Sequence, residues 1–524
     1  MKKLLALLIV AVMLVASACS SNNPNPTNAN NAPGAAPALK DEIKVGLDVD
    51  AGTLDPRLGR DSSAKRVIDL VFDGLVYIDE NLKAQPALAE SWENPDPTTW
   101  IFKLRDNVYF HNGTKLTAKD VKYTYDTILD EKFAAPYRSL YEPIKSVEAV
   151  DDLTVKFTLS NPYAPLLSYM DMGIVPADAA SQPDFASNPI GTGPYKFVSW
   201  SKNNNIVFEA NDKFWGGTPK TKKITYYIIP DNTTRVAALE SGDVDFVHSP
   251  LSPQDISRMK GDSRFVVEET NGLGFTYACF NFASPVMSDL KVRQAVAYMI
   301  NKESISKDIY QGMDKPGVSP IIPPSWAYSD KITNFEYNPD KAKQLLAEAG
   351  WKDSDGDKIL DKDGKKLTIT LSTHTEDPNR VQTVEFLQNE LSQIGVDAKV
   401  STTEWPTFDS NLMNGKFDIA IVGWLGLTDP DRAMYTQFHS KGGNNFGKFN
   451  IPELDQLLEK GRTTTDQNER ATIYQQAAQI VDDQVAYDVM LYQGYYAIYN
   501  KNLQGFKIHP SGNLKGLMNA TLTK

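Results

Sequence analysis

Two spacings of apolar residues recur along the chain after residue 40. Alternation of apolar and polar positions predicts β-strands. It occurs at Trp100, Phe102 and Leu104, at Val155, Phe157 and Leu159, and at Leu367, Ile369 and Leu371. The nearly continuous apolar run 418–424 is typical of a central strand that is covered on both faces.

Apolar residues spaced three and four apart predict helices between these strands. One such stripe is formed by Val292, Ala295, Val296, Met299 and Ile300. Asn338 before Pro339 predicts the start of a second helix, which ends near Gly350. Asp466 followed by Glu469 predicts the start of a third. Strands and helices mixed in this way predict an α/β fold in which helices cover sheets in two lobes.

The first residues have the pattern of an export signal. Lys2 and Lys3 precede an apolar run at 4–15, and the small residues Ala-Ser-Ala come next. This apolar run is shorter than the roughly 20 residues that a membrane-spanning helix needs. We therefore predict a signal peptide over residues 1–18 and a mature chain that lies outside the cytoplasm.

Cys19 follows that signal directly. The junction resembles the bacterial lipobox, which implies that Cys19 is lipidated, becomes the new N-terminus and holds the protein on the membrane. A plain secretory signal with an incidental cysteine is the alternative. Residues 20–38 contain no charge and are mostly Asn, Pro, Ala and Ser, a composition that cannot bury enough apolar surface to fold. We predict a flexible tether over residues 19–39.

Length, net charge and cysteine count limit the number of domains, the partners and the sites that this chain can have. The chain has 524 residues, enough for two or three domains. Its net charge of -12 argues against nucleic acid as a partner, because the phosphates would be repelled. With Cys19 used for the anchor, Cys279 is the remaining cysteine, so we expect neither an internal disulfide nor a cysteine-based metal site.

The sequence contains none of the catalytic motifs that would indicate an enzyme or a cofactor site. GxGxxG, Walker A, HExxH and GxSxG motifs are absent, and the five histidines are scattered. A carboxylate pair for glycoside hydrolysis stays open, since acidic residues are plentiful. Residues 353–363 have aspartates spaced as in a calcium loop, but the glycine and the final ligand are misplaced. We therefore predict a polar β-hairpin there, with calcium binding as the alternative.

A series of motifs carries a resemblance to a known family. The run at 89–126 reads AESWENPDPTTWIFKLRDNVYFHNGTKLTAKDVKYTYD. In order along the chain there are also LDP at 54–56, GTGPY at 191–195, RVAALESGDVDF at 235–246, DLKVRQAVAYMINKESI at 289–305 and GWLGLTDPD at 423–431. Together they resemble the extracellular solute-binding proteins of family 5, which are peptide and nickel receptors of ABC importers. The resemblance covers essentially all of the chain after the tether.

The resemblance implies a fold. It is the type II periplasmic binding protein of cluster C, with two lobes joined by two crossing segments and an extra subdomain in the first lobe. Lobe 1 would comprise residues 40–271, with its subdomain at about 81–189, and be completed by 493–524. Lobe 2 would comprise residues 272–492. The crossing segments, which act as the hinge, would be 268–282 and 486–499.

The resemblance also implies where a ligand binds. In peptide receptors of the family, an aspartate three residues after a tryptophan like Trp424 holds the peptide's amino group, and here that position is Leu427. Asp429 is the alternative holder of the amine, or the role is absent. Aromatic side chains suit such a pocket, although core packing is the alternative for each. The full set of candidate ligand-binding residues is Phe275, Tyr277, Trp405, Trp424 and Asp429 on the lobe 2 side, with Asp61 and Ser62 on the lobe 1 side.

The leading hypothesis is therefore a monomeric, non-catalytic receptor without a cofactor. It would capture oligopeptides or dipeptides between its lobes and deliver them to a membrane permease and its ATPases. A non-peptide solute, such as an oligosaccharide, an opine-like compound or a nickel chelate, is the alternative that Leu427 supports. A secreted hydrolase and an adhesin are the more distant alternatives.

Overall fold

The computed structural model describes residues 38–59, 62–248, 251–333, 335–375 and 377–524. Leu39–Lys524 form one compact unit. The predicted signal peptide, Cys19, most of the predicted tether and Asp61 lie outside the described residues. Within the described ranges, every helix is too short or too polar to span a bilayer.

The helices begin and end as follows: α1 Ser62–Val71, α2 Ala118–Leu129, α3 Asn232–Ser241, α4 Pro253–Lys260, α5 Leu290–Ala297, α6 Lys302–Ser304, α7 Pro339–Glu348, α8 Pro378–Ser392, α9 Trp405–Met413, α10 Pro430–Phe438, α11 Pro452–Thr463 and α12 Gln467–Asp483. Short 3-10 segments occupy Arg138–Leu140, Ala164–Tyr169 and Lys515–Asn519, and a π-helical turn occupies Ile305–Ile309.

The strands are β1 Glu42–Leu47, β2 Val76–Ile78, β3 Ala84–Pro86, β4 Ala89–Asp96, β5 Thr99–Leu104, β6 Ile144–Asp151, β7 Thr154–Leu159, β8 Tyr195–Ser201, β9 Asn205–Ala210, β10 Lys223–Ile228, β11 Phe246–His248, β12 Phe265–Phe280, β13 Lys315–Pro316, β14 Asp361–Lys362, β15 Lys365–Lys366, β16 Thr368–His374, β17 Asp397–Thr403, β18 Ile419–Leu425, β19 Tyr487–Asn500, β20 Leu503–Gln504 and β21 Thr521–Leu522.

One large mixed sheet organises the described chain. Its strand order is β17-β16-β18-β12-β19-β11-β1-β10-β9-β8, and β13 also pairs with β19. At one side β16 runs parallel to β17 and β18, and at the other β1 runs parallel to β10 and β11. The two parallel groups are joined by the antiparallel pair β12 and β19 in the middle. The mixed α/β architecture predicted from the sequence is confirmed.

Strands β12 and β19 run through both halves of the sheet and correspond to the predicted crossing segments. Their pairing changes register between Asn271 and Phe275. A Cβ added to Gly274 would lie 2.5 Å from the Leu425 side chain and 2.7 Å from the Trp424 carbonyl oxygen, so this close approach requires glycine. The break divides the long pair into two segments, each belonging to one half of the sheet.

A separate antiparallel sheet, β4-β5-β7-β6, forms within the predicted subdomain of lobe 1. Trp100 and Phe102 on β5 and Phe157 on β7 are buried in its core, as the alternating pattern predicted. The Tyr125 ring on α2 packs edge-on against that of Phe157, with centroids 5.1 Å apart. The residues of α2 that face inward thus cover one side of this sheet.

The predicted helix starts are confirmed, and one helix is shorter than its apolar stripe. The Asn338 side chain accepts a hydrogen bond from the backbone of Lys341 at the start of α7, and Asp466 accepts one from Glu469 at the start of α12. Helix α5 ends at Ala297, so Met299 and Ile300 follow it. Both remain buried in the same core, because the turn after α5 keeps them against the sheet.

Candidate ligand-binding cleft

Two sets of strand ends point toward the register break in β12 and β19. Since β16, β17 and β18 are parallel, their carboxyl ends lie at one edge, and α8, α9 and α10 begin directly after them. In the other half, β1 and β11 are parallel and end at Leu47 and His248. Pairing of Leu425 with Gly274, and of His248 with Ala497, brings both sets within a few residues of the break. Such carboxyl edges are where open α/β sheets bind ligands.

The predicted aromatic residues of β12 and β18 pack together. Phe275 pairs with Trp424 across the two strands. The rings of Phe275 and Tyr277 meet edge-on with centroids 5.4 Å apart, and Tyr277 stacks on Tyr487 at 4.1 Å. Phe275 and Tyr277 are 2 % and 0 % exposed, so in this conformation they form the base beneath the strand ends.

Trp424 and Trp405 are the more accessible of the predicted aromatics. Trp424 is half-buried, and its indole N–H is buried without a hydrogen-bond acceptor among the described residues. Trp405 begins α9, is 45 % exposed and packs edge-on against the His374 ring, with centroids 5.1 Å apart. Their assignment as ligand-binding residues stays a prediction. Ser62 begins α1.

Both oxygens of the Asp429 carboxylate accept hydrogen bonds from groups of the protein itself. Arg470 donates to both oxygens, at 2.9 and 3.1 Å, and the Ser168 hydroxyl donates to Oδ2 at 2.8 Å. The same carboxylate caps α10 by accepting from the Asp431 backbone N–H at 2.9 Å. A carboxylate offers about four lone-pair sites, and all are used here. The Asp429 side chain is fully buried, so a ligand amine would have to displace Arg470 to reach it.

Leu427 also points into the protein. Its side chain is 3 % exposed and belongs to the core that contains Phe275 and Tyr277. Its backbone N–H donates to the Leu273 carbonyl at 3.2 Å, within the register break of β12. An alkyl side chain has no acceptor for an ammonium group, so this position provides no amine anchor.

A charged group that the sequence reasoning missed lies at the ends of β16 and β18. The Arg380 guanidinium lies so close to Gly423 that a Cβ there would clash with Nη2. Arg380 Nη1 donates to His374 Nε2 at 3.0 Å, and Nε is 3.1 Å from an Asp377 carboxylate oxygen. Glycine inside an apolar strand often marks the close approach of another group. Gly423 was therefore the feature of the sequence that could have predicted a neighbour at this point.

An acid from the segment before β13 lies near the same edge. The Asp314 carboxylate accepts a hydrogen bond from the Gly494 N–H at 3.0 Å. Burial raises the pKa of Asp314 to about 6, with a further contribution from the charge of Asp377. This edge of the sheet therefore contains the Arg380 guanidinium beside the carboxylates of Asp377 and Asp314.

A cavity of about 70 Å³ lies beside the register break. It is bounded by Leu273 in β12 and by Thr428 just after β18, and on the other side by Asp69 on α1 and by Asp171. Thr428 and Asp171 come from opposite sides of the predicted lobe boundary. The cavity therefore lies where a ligand enclosed between the two halves would be in contact with both.

The aspartate-rich segment folds as the predicted hairpin. Asp361–Lys362 pairs with Lys365–Lys366, and the turn residues Asp363 and Gly364 have φ of 53° and 74°, as in a type I′ turn. Carboxylate oxygens of Asp353, Asp355 and Asp361 lie within 4.8 Å of one another. Lys366 Nζ lies 2.7 Å from Asp355 Oδ2 and offsets part of the negative charge of these aspartates.

Comparison with known proteins identifies the family. Residues 83–445 match the model of the bacterial extracellular solute-binding proteins, family 5. The chain belongs to this family. It is 32% identical to the oligopeptide-binding protein AppA of Bacillus subtilis, over 99% of this chain and 98% of AppA. The family resemblance inferred from the motifs, and with it the solute-binding role, is confirmed.

Two solved structures of the family are similar to this fold. That of Bacillus subtilis AppA in complex with a nonapeptide is 31% identical, covers 93% of this chain and 100% of AppA, and has a TM-score of 0.72. That of NikZ from Campylobacter jejuni in complex with Ni(L-His) is 30% identical, covers 93% of this chain and 100% of NikZ, and has a TM-score of 0.74. The predicted type II periplasmic binding protein fold is confirmed, and the family accommodates unlike solutes.

Proposed function

We propose that this chain is the substrate-binding receptor of an ABC importer for peptides and that it catalyses no reaction. The observation that carries the proposal is the cleft between two sets of strand ends, which β12 and β19 connect and which has charges of both signs. A peptide is an extended zwitterion, so a site for it needs a cation and an anion some distance apart. The Arg380 guanidinium beside Gly423 and the carboxylates of the cavity beside Leu273 are the candidates for those two charges.

The receptor would act by closing around its solute. Bending at the register break between Asn271 and Phe275 would bring the strand ends of the two halves together and remove the ligand from water. The ligand stabilises the closed form only to the extent that it contacts both halves. The permease and its ATPases would then recognise the closed form. Similarity to AppA, whose solved structure contains a nonapeptide, supports peptide as the solute.

A non-peptide solute is the second candidate. Leu427 removes an acceptor that the peptide receptors of the family use, and NikZ, of similar identity, is described in complex with Ni(L-His). A metal chelate or a sugar would need different groups at the cleft. The two candidates are therefore separable by direct binding measurements.

The test is thermal unfolding of residues 39–524 with a panel of potential solutes. We expect di- to nonapeptides to raise the unfolding temperature, because a ligand at 100 times its dissociation constant stabilises the folded state by about 2.7 kcal/mol. The matched control is the same amino acids in free form at equal total concentration. A shift with nickel–histidine or an oligosaccharide, and none with any peptide, would replace the proposed solute.

We also propose that the protein is exported and anchored to the membrane through lipid on Cys19. The apolar run at 4–15 and the small residues before Cys19 support this. The uncharged tether would let the receptor reach a permease in the same membrane while its cleft stays open to solvent. The receptor would act as a monomer, because one chain contains both sides of the cleft.

A further inference from the structure

A short segment beside β19 connects the two halves of the large sheet a second time. Residues 310–316, here called the strap, end in β13, which pairs with Tyr492 and Leu491 on one side of the register break. On the other side of the break, the same edge of β19 pairs with β11. Tyr310, at the start of the strap, is buried in the core that β16 and β18 also cover. Both ends of the strap therefore belong to the half that contains β18.

The middle of the strap contacts the other half. The Met313 side chain packs against the apolar core beneath α3 and α4. The Met313 carbonyl accepts a hydrogen bond from the Tyr496 hydroxyl at 2.9 Å. Lys315 Nζ lies 3.1 Å from a carboxylate oxygen of Glu269. Tyr496 on β19 and Glu269 on β12 both lie on the β11 side of the register break, so the strap crosses the break and returns.

Backbone contacts hold the strap against β19. The Gly494 N–H donates to Asp314 Oδ1 at 3.0 Å, and a Cβ on Gly494 would clash with the Met313 carbonyl oxygen. The strap is also bonded to the π-helical turn of its own half. There the Ser306 hydroxyl donates to the Asp314 carbonyl at 2.6 Å, and the Gly312 N–H donates to the Ser306 carbonyl at 2.8 Å. The strap is therefore fixed to one half while it is bonded to the other.

These contacts oppose bending at the register break. Closure of the receptor requires such bending, which moves Glu269 and Tyr496 relative to β13, where the strap is attached. A hydrogen bond weakens steeply as its angle departs from linear, and the Tyr496 bond to the strap would be the first to do so. Loosening the strap is therefore part of the free-energy cost of closure.

We propose that the strap sets the affinity of the receptor without contacting the solute. This inference rests on the proposed function, since it concerns closure of the same receptor. None of the described residues that bound the cavity beside the register break belongs to the strap. The apparent dissociation constant is the intrinsic constant divided by the fraction of molecules in the binding-competent state. Weakening the strap should therefore lower the dissociation constants of all solutes by one common factor, whereas changing a residue of the cleft would alter them unequally.

The first test measures the affinities of a tripeptide, a pentapeptide and a nonapeptide of unrelated sequence by calorimetric titration of residues 39–524. The double variant Lys315→Met with Tyr496→Phe removes the ion pair and the hydrogen bond across the break, and leaves Glu269 within 3.1 Å of Lys260. The matched control is Lys307→Met, which changes an exposed lysine of the π-helical turn. We expect the double variant to bind each peptide about fivefold more tightly, with the ratios between peptides preserved, and the control to bind as the wild type does.

The second test follows closure without any solute. Ser199→Cys on β8 and Lys399→Cys on β17 place spin labels at exposed positions of the two outermost strands of the large sheet, where bending changes the distance most. Cys279 is buried and stays unlabelled. Electron–electron double resonance should show shorter distances in the strap variant than in the wild type and in Lys307→Met. Thermal unfolding of each variant establishes that it is folded.

The outcomes separate the strap from the proposed function. Equal distances in the strap variant and the wild type would overturn the strap and leave the peptide receptor intact. Affinities that stay unchanged, or that change by a different factor for each peptide, would do the same. If the wild type binds none of the peptides, the proposed solute is overturned, and the distances alone then decide whether the strap controls closure.

Discussion

Removing the charge of Asp429 is expected to destabilise the fold itself. Asp429 and Arg470 are buried, with side-chain exposures of 0% and 6%, and form a two-pronged ion pair. Ser168 joins the pair from the segment before Asp171, so the contact also connects the two sides of the predicted lobe boundary. Asp429→Asn keeps the size of the side chain and its ability to cap α10. It therefore tests the charge alone.

The magnitude follows from what remains after the substitution. Arg470 would keep the hydrogen bond from Nε to the Gly461 carbonyl at 2.9 Å but lose its anionic partner. Leaving one charge of a buried pair uncompensated costs about 3–5 kcal/mol. The double variant Asp429→Asn with Arg470→Met replaces both partners and leaves no unpaired charge in the pair. Its free energy of unfolding is therefore expected to fall by less than that of Asp429→Asn alone.

The assay is urea unfolding of residues 39–524, followed by tryptophan fluorescence. The control is Asp466→Asn, which retains a cap on α12 at an exposed position and is expected to change the free energy of unfolding by less than about 1 kcal/mol. The reasoning is refuted if the free energy of unfolding of Asp429→Asn lies within about 1 kcal/mol of the wild-type value and the variant no longer binds peptide. Asp429 would then be an amine anchor that leaves Arg470 when solute binds.

Two further predictions concern pH and the membrane. Burial, and then the charge of Asp488, raise the pKa of Asp482 to about 8. The folded state therefore binds more protons than the unfolded state between about pH 4 and 8, and stability falls as pH rises through that window. Asp482→Asn should reduce this slope in urea unfolding, whereas the exposed control Asp178→Asn should not; equal slopes would contradict the assignment. Cys19→Ser in the full chain should move the protein from the detergent to the aqueous phase of Triton X-114 and abolish palmitate labelling, and an unchanged partition would exclude the anchor.

The sequence predicted strands best where one face is buried. Trp100, Phe102 and Phe157 alternate with polar residues because β5 and β7 cover a single core, and that alternation was readable. Strand β12 has no such pattern in its second half, since Phe275–Phe280 is buried on both faces. The face that lies beneath the cleft could not be distinguished there from the face against helices. Phe275 and Tyr277 were predicted as ligand-binding residues with core packing as the alternative, and in this conformation their rings are buried.

The positions of the charged side chains in the candidate site could not be predicted from the spacing of apolar residues. Arg380 lies three residues after the N-cap of α8, and its place is set by the parallel pairing of β16 with β18, which brings it to Gly423. Asp69 and Asp171 are far apart in sequence and meet only because α1 packs against the segment that follows β7. Such proximity depends on tertiary packing and has no local period.

Leu427 and Thr428 connect the cavity to the register break. The Leu427 N–H is bonded to the Leu273 carbonyl, and Leu273 and Thr428 both line the cavity. Asp171 lies on the opposite wall, across the predicted lobe boundary. A ligand group that contacts Thr428 and Asp171 together can do so only when the two halves are close. Its binding energy therefore favours closure rather than mere occupancy.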